Sequence, residues 1–466
     1  MLKPTKLNRK HFETSRELDY LSTKELTAQT GHRPEEWPLV VLKELVDNSL
    51  DACEESGALP AVEVTVSADG ITVEDNGPGI PESVVVGTLD FSSRISSREA
   101  YVSPDRGAQG NALKTLVAMP FTLYGRGRVE IEACGKLHVI AVSVNQVTHE
   151  PKINHSATDS PKISGTRFFV EFEHDKPSLD EVDDFRFLQF DDREDAEDSE
   201  FENKKEGFIL GNAKAHFLQL ADSFCWINPH LTMTVDWFGE RSTTNRTVDS
   251  WKKWGPSNPT DPHWYSLETF KRLIAANISH DTKTVRELVT EFRGLSSSAK
   301  ARKVLESSGL ARVDLVDLVE DHKFNQEKIV KLLAAMKEHT KPVKPKSLGV
   351  IGVNHLKNRC ELLGGDMESF SYSKVEKFTD EGHPFIIETA FCYCPELTER
   401  RMVTGVNWSP GIVNPFRQLG EFGRSLDSVL NRQYSGEDEP IAFLLHVSCP
   451  MVRYADRGKS AVVMED

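Results

Sequence analysis

Residues 34–57 leave this 466-residue chain the fewest choices. Pro34 opens the segment and Gly57 closes it, and between them apolar residues recur at helical spacing. Proline in the first turn and glycine just past the end are the punctuation of an amphipathic helix. Two runs that alternate apolar and polar follow at once, AVEVTVS (61–67) and GITVED (70–75), and these read as strands. VEIEAC, HVIAVSV and GTRFFVEFE carry the same alternation further along. A long helix beside a mostly antiparallel sheet predicts an α+β layer.

The helix carries chemistry on one stripe. In KELVDNSLDACEESG, Glu44, Asn48 and Asp51 stand at i, i+4 and i+7, while Leu42, Leu45, Val46 and Leu50 point mostly elsewhere. A carboxylate, an amide oxygen and a second carboxylate suit a magnesium-nucleotide site, because Mg²⁺ takes oxygen ligands and keeps several waters. Glu44 would then activate the attacking water as general base. A solvated polar face would show the same stripe. ITVEDNGPGIP narrows the choice: Asp75 ends a strand as an acceptor for an exocyclic amine, and Gly77 and Gly79 allow close backbone approach to a flat ligand. SPDRGAQGNALKT then places Gly107 and Gly110 before a helical run, where backbone N–H groups face phosphates. GTRFFVEF sets Thr166 beside Gly165 at a strand start.

The rest of the chain divides by composition. Residues 1–34 are a polar N-terminal strap, and 35–250 hold the helix, the strands and an acidic stretch near 178–206 that reads as a solvated insertion. Residues 263–340 are purely helical in pattern, with TFKRLIAA, VRELVTEF, KARKVLES and EKIVKLLAAM. KPVKPKSLG is a stiff linker, and 347–466 mix strands and helices as a second α/β layer. No apolar run approaches the roughly 20 residues that span a bilayer, and the N-terminus has no apolar core of a secretory signal. The seven cysteines contain no C-x-x-C pair; Cys392 and Cys394 fall in FIIETAFCYC, a buried strand, so a reducing cytosolic setting is expected. A formal net charge of −16 excludes nucleic-acid binding over the whole surface. Local basic clusters remain as candidate duplex contacts: Lys300, Arg302 and Lys303, and Lys341, Lys344 and Lys346.

The ordered series E-x-x-x-N-x-x-D-A, D-x-G-x-G, glycine lid and G-T resembles the Bergerat ATPase fold of the GHKL superfamily, shared by gyrase, Hsp90, histidine kinases and MutL-type proteins. ELVDNSLDACEESGALPAVEV, RGAQG, CWINPHLTMT, PHWYSLETFKRLI, GHPFIIETAF and AFLLHVSCPMVRYADRGKSAV are more narrowly similar to the topoisomerase VI B subunit, from about residue 35 to the end. That resemblance implies a GHKL ATPase domain, a helix-two-turn-helix-like domain and a transducer domain. It implies ATP and Mg²⁺ as cofactors, with Glu44 as water-activating base, Asn48 as magnesium ligand and Asp51 as a further nucleotide-binding residue. It implies Asp75 as reader of the adenine amine with Thr166 in support, and Gly77 and Gly79 in the adenine loop. Arg106, Gly107, Gln109 and Gly110 would form the lid over the phosphates, and Lys459 would reach the γ-phosphate from the transducer. The implied partners are duplex DNA, a second copy on ATP binding and a separate A-type subunit that cleaves DNA; no membrane is implied, and the setting is cytoplasmic and nucleoid-associated. A stand-alone GHKL switch or chaperone-like remodeller is the rival. A histidine kinase is not expected, with so few residues ahead of the ATPase helix. Three departures stand out: Ala112 replaces the lid's last glycine, the acidic stretch is foreign to the family, and the sequence runs only seven residues past Lys459, where a helical tail toward the A-type subunit is expected.

Overall fold

The computed structural model describes residues 21–89, 100–106, 112–144, 151–172, 208–280, 283–419, 424–455 and 461–463. Gly107, Gln109, Gly110, Lys459 and the acidic stretch lie outside the described residues. Helix α1 (Thr23–Thr30) starts on Ser22, whose hydroxyl accepts the Glu25 N–H, and buries Leu26 in the first core. A short turn at Pro34–Glu36 leads into helix α2 (Trp37–Ser56). Gly57 ends α2 in the left-handed region at φ 76°, where its N–H reaches the Cys53 carbonyl.

Leu42, Leu45, Val46 and Leu50 of α2 pack on an eight-stranded sheet. The strands are β1 (Ala61–Ser67), β2 (Gly70–Asp75), β3 (Gly127–Ala133), β4 (Lys136–Val144), β5 (Pro151–Asp159), β6 (Thr166–Glu171), β7 (Thr232–Trp237) and β8 (Glu240–Thr244). Their order is β5-β4-β3-β6-β2-β1-β7-β8, antiparallel except for β1 with β7. Helix α3 (Glu82–Thr88) follows the Asp75 loop. Helices α4 (Ala112–Tyr124) and α5 (Phe208–Ile227) pack beside α2, so three helices cover the sheet. Alternate residues Val62, Val64, Val66, Ile71 and Val73 are buried, as a half-buried pleat requires. β5 was not expected from the sequence, because PKINHSATD has little apolar alternation and lies at the sheet edge, where one strand neighbour suffices.

Helices α6 (Leu267–His280), α7 (Val285–Thr290), α8 (Ser298–Ser308) and α9 (Gln326–Glu338) build a separate core around Phe270, Leu288, Val304, Leu332 and Met336. Their starts are written in the sequence: Thr284 with Glu287 forms a capping box, and Ser297 and Asn325 cap α8 and α9. The expectation of a purely helical block needs one correction. A two-residue ladder, Val319–Glu320 against Lys323–Phe324, turns at Asp321 and His322 with φ of 49° and 59°. No glycine announces that turn.

The C-terminal block holds helix α10 (Val353–Leu362), strands β9 (Ser371–Phe378), β10 (Pro384–Tyr393), β11 (Arg401–Val406) and β12 (Ser409–Pro410), helix α11 (Leu426–Arg432) and strand β13 (Ile441–Ser448). The sheet order is β9-β10-β13-β11-β12. β11 and β13 are parallel, and the connection between them carries α11, the crossover a parallel pair needs. Cys360, Cys392 and Cys394 are packed in the core of this block.

His355 on α10 fastens this block to α5. Its Nε2 lies 3.1 Å and 3.0 Å from the carbonyls of Cys225 and Trp226, and its Nδ1 lies 2.6 Å from the Thr247 hydroxyl. Nε2–H therefore donates and Nδ1 accepts, the arrangement of a neutral ring. Burial, with the Arg359 charge, pushes its pKa from 6.5 down to about 4. Below the unfolded value, the unfolded chain takes a proton that the folded chain refuses. As pH falls from 6.5 toward about 4, stability should drop by about 1.4 kcal/mol per unit. Thermal melts of wild type and His355→Gln across the window check this; equal slopes in the two proteins would rule His355 out.

Candidate functional site

The pocket is built where β2 ends beneath α2. Leu45, Asn48, Ser49 and Ala52 of α2 line one side; Val73, Asp75, Ile80, Leu113, Thr166 and Phe168 line the rest. The walls are mostly apolar and Asp75 is a charged group at their base, the make-up of a small-molecule site. Asp75 Oδ1 accepts the Gly77 N–H at 2.8 Å and the Thr166 N–H at 3.2 Å, and Oδ2 accepts the Ser49 hydroxyl at 3.1 Å. Burial raises the pKa of Asp75, and the three donors pull against it. Asn48 is exposed at the same stripe, and Glu44 is half-buried one turn earlier.

Two glycines make this loop possible. Gly79 lies at φ 92°, and a Cβ there would meet Cys134 Sγ at 2.9 Å. Gly165 lies at φ 74° and donates its N–H to the Gly77 carbonyl at 2.7 Å. A Cβ on Gly165 would sit 2.2 Å from the Asp75 carbonyl oxygen. Gly165→Ala should therefore displace Asp75 and cost roughly 1–3 kcal/mol from overpacking and the left-handed backbone. Chemical denaturation reads the loss; an unchanged midpoint would mean the loop yields freely.

Asp51 and Arg106 are not among the residues lining the pocket. The sequence stripe grouped Asp51 with Asn48, but α2 carries two adjacent faces. Leu45, Asn48, Ser49 and Ala52 turn to the pocket, while Lys43, Asp47, Asp51 and Glu54 turn to Arg106 and its surroundings. Arg106 is fully buried and all five of its N–H groups find acceptors. Nη1 donates to Asp51 at 2.7 Å and Glu54 at 2.8 Å, Nη2 to Glu54 and Asn228 at 2.7 Å each, and Nε to the Trp408 carbonyl at 3.2 Å. Lys253 and His230 also reach Glu54, at 2.5 Å and 2.8 Å. Burial opposes the charge on Glu54, but Arg106 and Lys253 hold its pKa well below the usual range. Burial drives the Lys253 pKa down to about 8. Glu54, Asn228, Lys253 and Trp408 were not singled out by sequence. Their only sequence signal was the run of acidic residues on α2.

Residues 35–176 match the family described as histidine kinase-, DNA gyrase B-, and HSP90-like ATPase. The chain carries a GHKL ATPase domain. Across most of its length, that domain included, it is similar to the B subunit of type 2 DNA topoisomerase 6 from Archaeoglobus fulgidus, 24% identical over 445 residues, covering 91% of this chain and 66% of that one. The counterpart from Metallosphaera sedula is 23% identical over 449 residues, covering 90% and 74%. For the Methanosarcina acetivorans counterpart the figures are 22% over 447 residues, 91% and 64%. The chain thus spans about two thirds of the length of curated relatives it matches. The B subunit of DNA gyrase from Myxococcus xanthus aligns at 10% identity and a TM-score of 0.36, covering 92% of this chain and 84% of that one. A superposition that loose places no residue. The GHKL match ends near β6, so the α2 pocket falls inside it while Trp408 and the C-terminal sheet fall outside.

Proposed function

We propose that the α2 pocket binds ATP and that the chain is the ATP-hydrolysing subunit of a type IIB DNA topoisomerase. The observation that carries the nucleotide reading is Asp75: a carboxylate held by three donors at the base of an apolar slot, as an adenine ring with one exocyclic amine requires. Asp75 Oδ2 accepts that amine, and Thr166 supports it. Asn48, exposed at the mouth, offers an amide oxygen to Mg²⁺; a magnesium ion there would neutralise phosphate charge while keeping waters. Glu44 takes the proton of the attacking water. Gly107, Gln109 and Gly110 cover the phosphates, and Lys459 answers to the γ-phosphate.

The names of the relatives carry the second half of the reading. In it, two copies close on ATP around duplex DNA, and a separate A-type subunit cleaves the strands. Lys300, Arg302, Lys303, Lys341, Lys344 and Lys346 are all exposed on or beside the helical block and serve as duplex contacts. Strand passage needs a nucleophile that bonds transiently to DNA, which this reading assigns to the A-type subunit. The chain alone should leave supercoiled plasmid unchanged with ATP and magnesium, and relax it when that subunit is added. Light scattering with a non-hydrolysable ATP analogue should show monomer turning to dimer, a shift weakened by Lys459→Ala. Relaxation by the chain alone would expose a missed cleavage centre. ATP turnover without relaxation in the presence of the cognate subunit would favour the stand-alone switch.

A further inference from the structure

The buried cluster around Arg106 lies on the face of α2 adjacent to the pocket face, and it does not end in the ATPase domain. It runs into the turn between β11 and β12. Asn407 and Trp408 form that two-residue turn, both at positive φ, 51° and 68°. Two-residue hairpins with both central residues left-handed favour Asn and then Gly; a tryptophan in the second place is strained and persists only where its surroundings over-determine it. The surroundings here do so. The Trp408 carbonyl accepts Arg106 Nε–H and Asn228 Nδ2–H, at 3.2 Å and 3.1 Å. Its N–H donates to His446 Nε2 at 3.0 Å, and the Lys253 ammonium sits 5.4 Å from its ring centroid. Asn407 exchanges hydrogen bonds with the Cys449 backbone in both directions, at 2.9 Å and 2.8 Å.

The next residue closes the joint on α2 itself. Ser409 Oγ donates to Asp47 Oδ2 at 2.6 Å, and Lys43 Nζ reaches both Ser409 and Asp47. Lys43 and Asp47 flank Glu44 on the same helical turns. Three cations (Lys43, Arg106, Lys253) face three anions (Asp47, Asp51, Glu54), so the charges balance, and the turn adds a neutral carbonyl and hydroxyl to them. Withdrawing Trp408 would take one acceptor from Arg106 Nε–H and one from Asn228 Nδ2, which keeps the Phe224 carbonyl, and losing acceptors for buried donors is costly.

We infer that Arg106 and the 407–409 turn are a joint that sets the position of α2, and with it Glu44, according to the seating of the C-terminal sheet; Arg106 is a positioning residue, not one that touches nucleotide. The inference rests on the proposed ATP site. It assigns the joint to the hydrolysis step and not to binding, because the pocket face of α2 and the joint face are separate stripes. Small displacements of a reacting group cost large factors in rate, and residues remote from the ligand modulate coupled steps by measurable amounts.

The test uses the whole chain with Arg106→Lys, which keeps the charge but loses the fork, with Ser409→Ala, which releases the turn from Lys43 and Asp47, and with both together. ATP turnover, affinity for a fluorescent ATP analogue and melting temperature are measured for each. Each single variant is expected to lower kcat about tenfold while analogue affinity stays within about threefold. The double variant is expected to be no slower than the slower single one, since both break one joint. Unchanged kcat per folded molecule with a lowered melting temperature would overturn the joint and leave only a structural role. Independent, multiplying losses would overturn it too. If Arg106→Lys does not fold, Ser409→Ala decides alone by the same split between kcat and affinity. A wild-type chain that binds no analogue would overturn the ATP reading, and the joint's assignment to hydrolysis with it.

Discussion

Asp75→Asn should give a folded protein that no longer holds ATP. The substitution is nearly isosteric, and the hydrogen bonds show why the fold survives. Oδ1 accepts the Gly77 and Thr166 N–H groups, and the Asn carbonyl can take that place. The new amide NH₂ then stands where Oδ2 stood, and can donate to Ser49 Oγ, which accepts as readily as it donates. Toward the pocket, however, an acceptor has become a donor. An exocyclic amine meeting that NH₂ finds donor against donor in an apolar slot. Losing a hydrogen bond to a charged group and leaving donors unmatched costs about 3 kcal/mol or more, which is over about 100-fold in affinity. Titration with a fluorescent ATP analogue, alongside circular dichroism, measures both halves. Near-wild-type binding by a folded Asp75→Asn protein would place the adenine elsewhere.

What was legible in the sequence follows the range of the interactions. Gly57 marks the end of α2 because caps are local, but Pro34, expected to open that helix, opens a short turn and α2 begins at Trp37; α7, α8 and α9 were legible by apolar spacing, and the structure caps them with Thr284, Ser297 and Asn325. Strands β1, β2 and β6 were readable because one face of each is buried and the pattern alternates. The edge strands β5 and β9 were not, since KINHSATD and SYSKVEKF are largely exposed and carry no such contrast. The Asp75 loop is partly local: its partners Gly77 and Ser49 lie 2 and 26 residues away, while Thr166, 91 residues away, was found only through its own G-T pair. The Arg106 cluster is the opposite case. Its partners Glu54, Asn228 and Trp408 stand 52, 122 and 302 residues away, and no spacing rule ties them together. Arg106 read as part of a lid because it precedes Gly107. Only the folded chain shows that its guanidinium turns inward.

The split of α2 into two faces also explains how one helix can serve two tasks. A rotation of about 100° per residue puts Asn48 and Asp51 some ~60° apart, near enough to look like one stripe. A buried arginine on one side and an apolar slot on the other pull them in different directions. Glu44 stands at the boundary, one turn before Asn48 and between Lys43 and Leu45, and is half-buried.

On the proposed reading, that position would separate binding from hydrolysis. Glu44 does not line the slot around Asp75, so Glu44→Ala removes none of the groups proposed to hold adenine. It does remove the half-buried carboxylate one turn before the exposed Asn48, where the proposed reading puts the phosphates and the attacking water. Loss of a general base typically slows the step by about 10²–10⁴-fold. Glu44→Ala should therefore bind the ATP analogue within about threefold of wild type, within the scatter expected of a half-exposed substitution, while steady-state turnover falls by at least about 100-fold. Dimerisation should then persist once ATP is added, because a species that binds without hydrolysing stays in the closed form. A phosphate-release assay paired with light scattering after ATP addition reads both effects. Wild-type turnover in Glu44→Ala would mean another group activates the water; lost binding with the fold intact would move Glu44 from the hydrolytic step into the nucleotide-holding set.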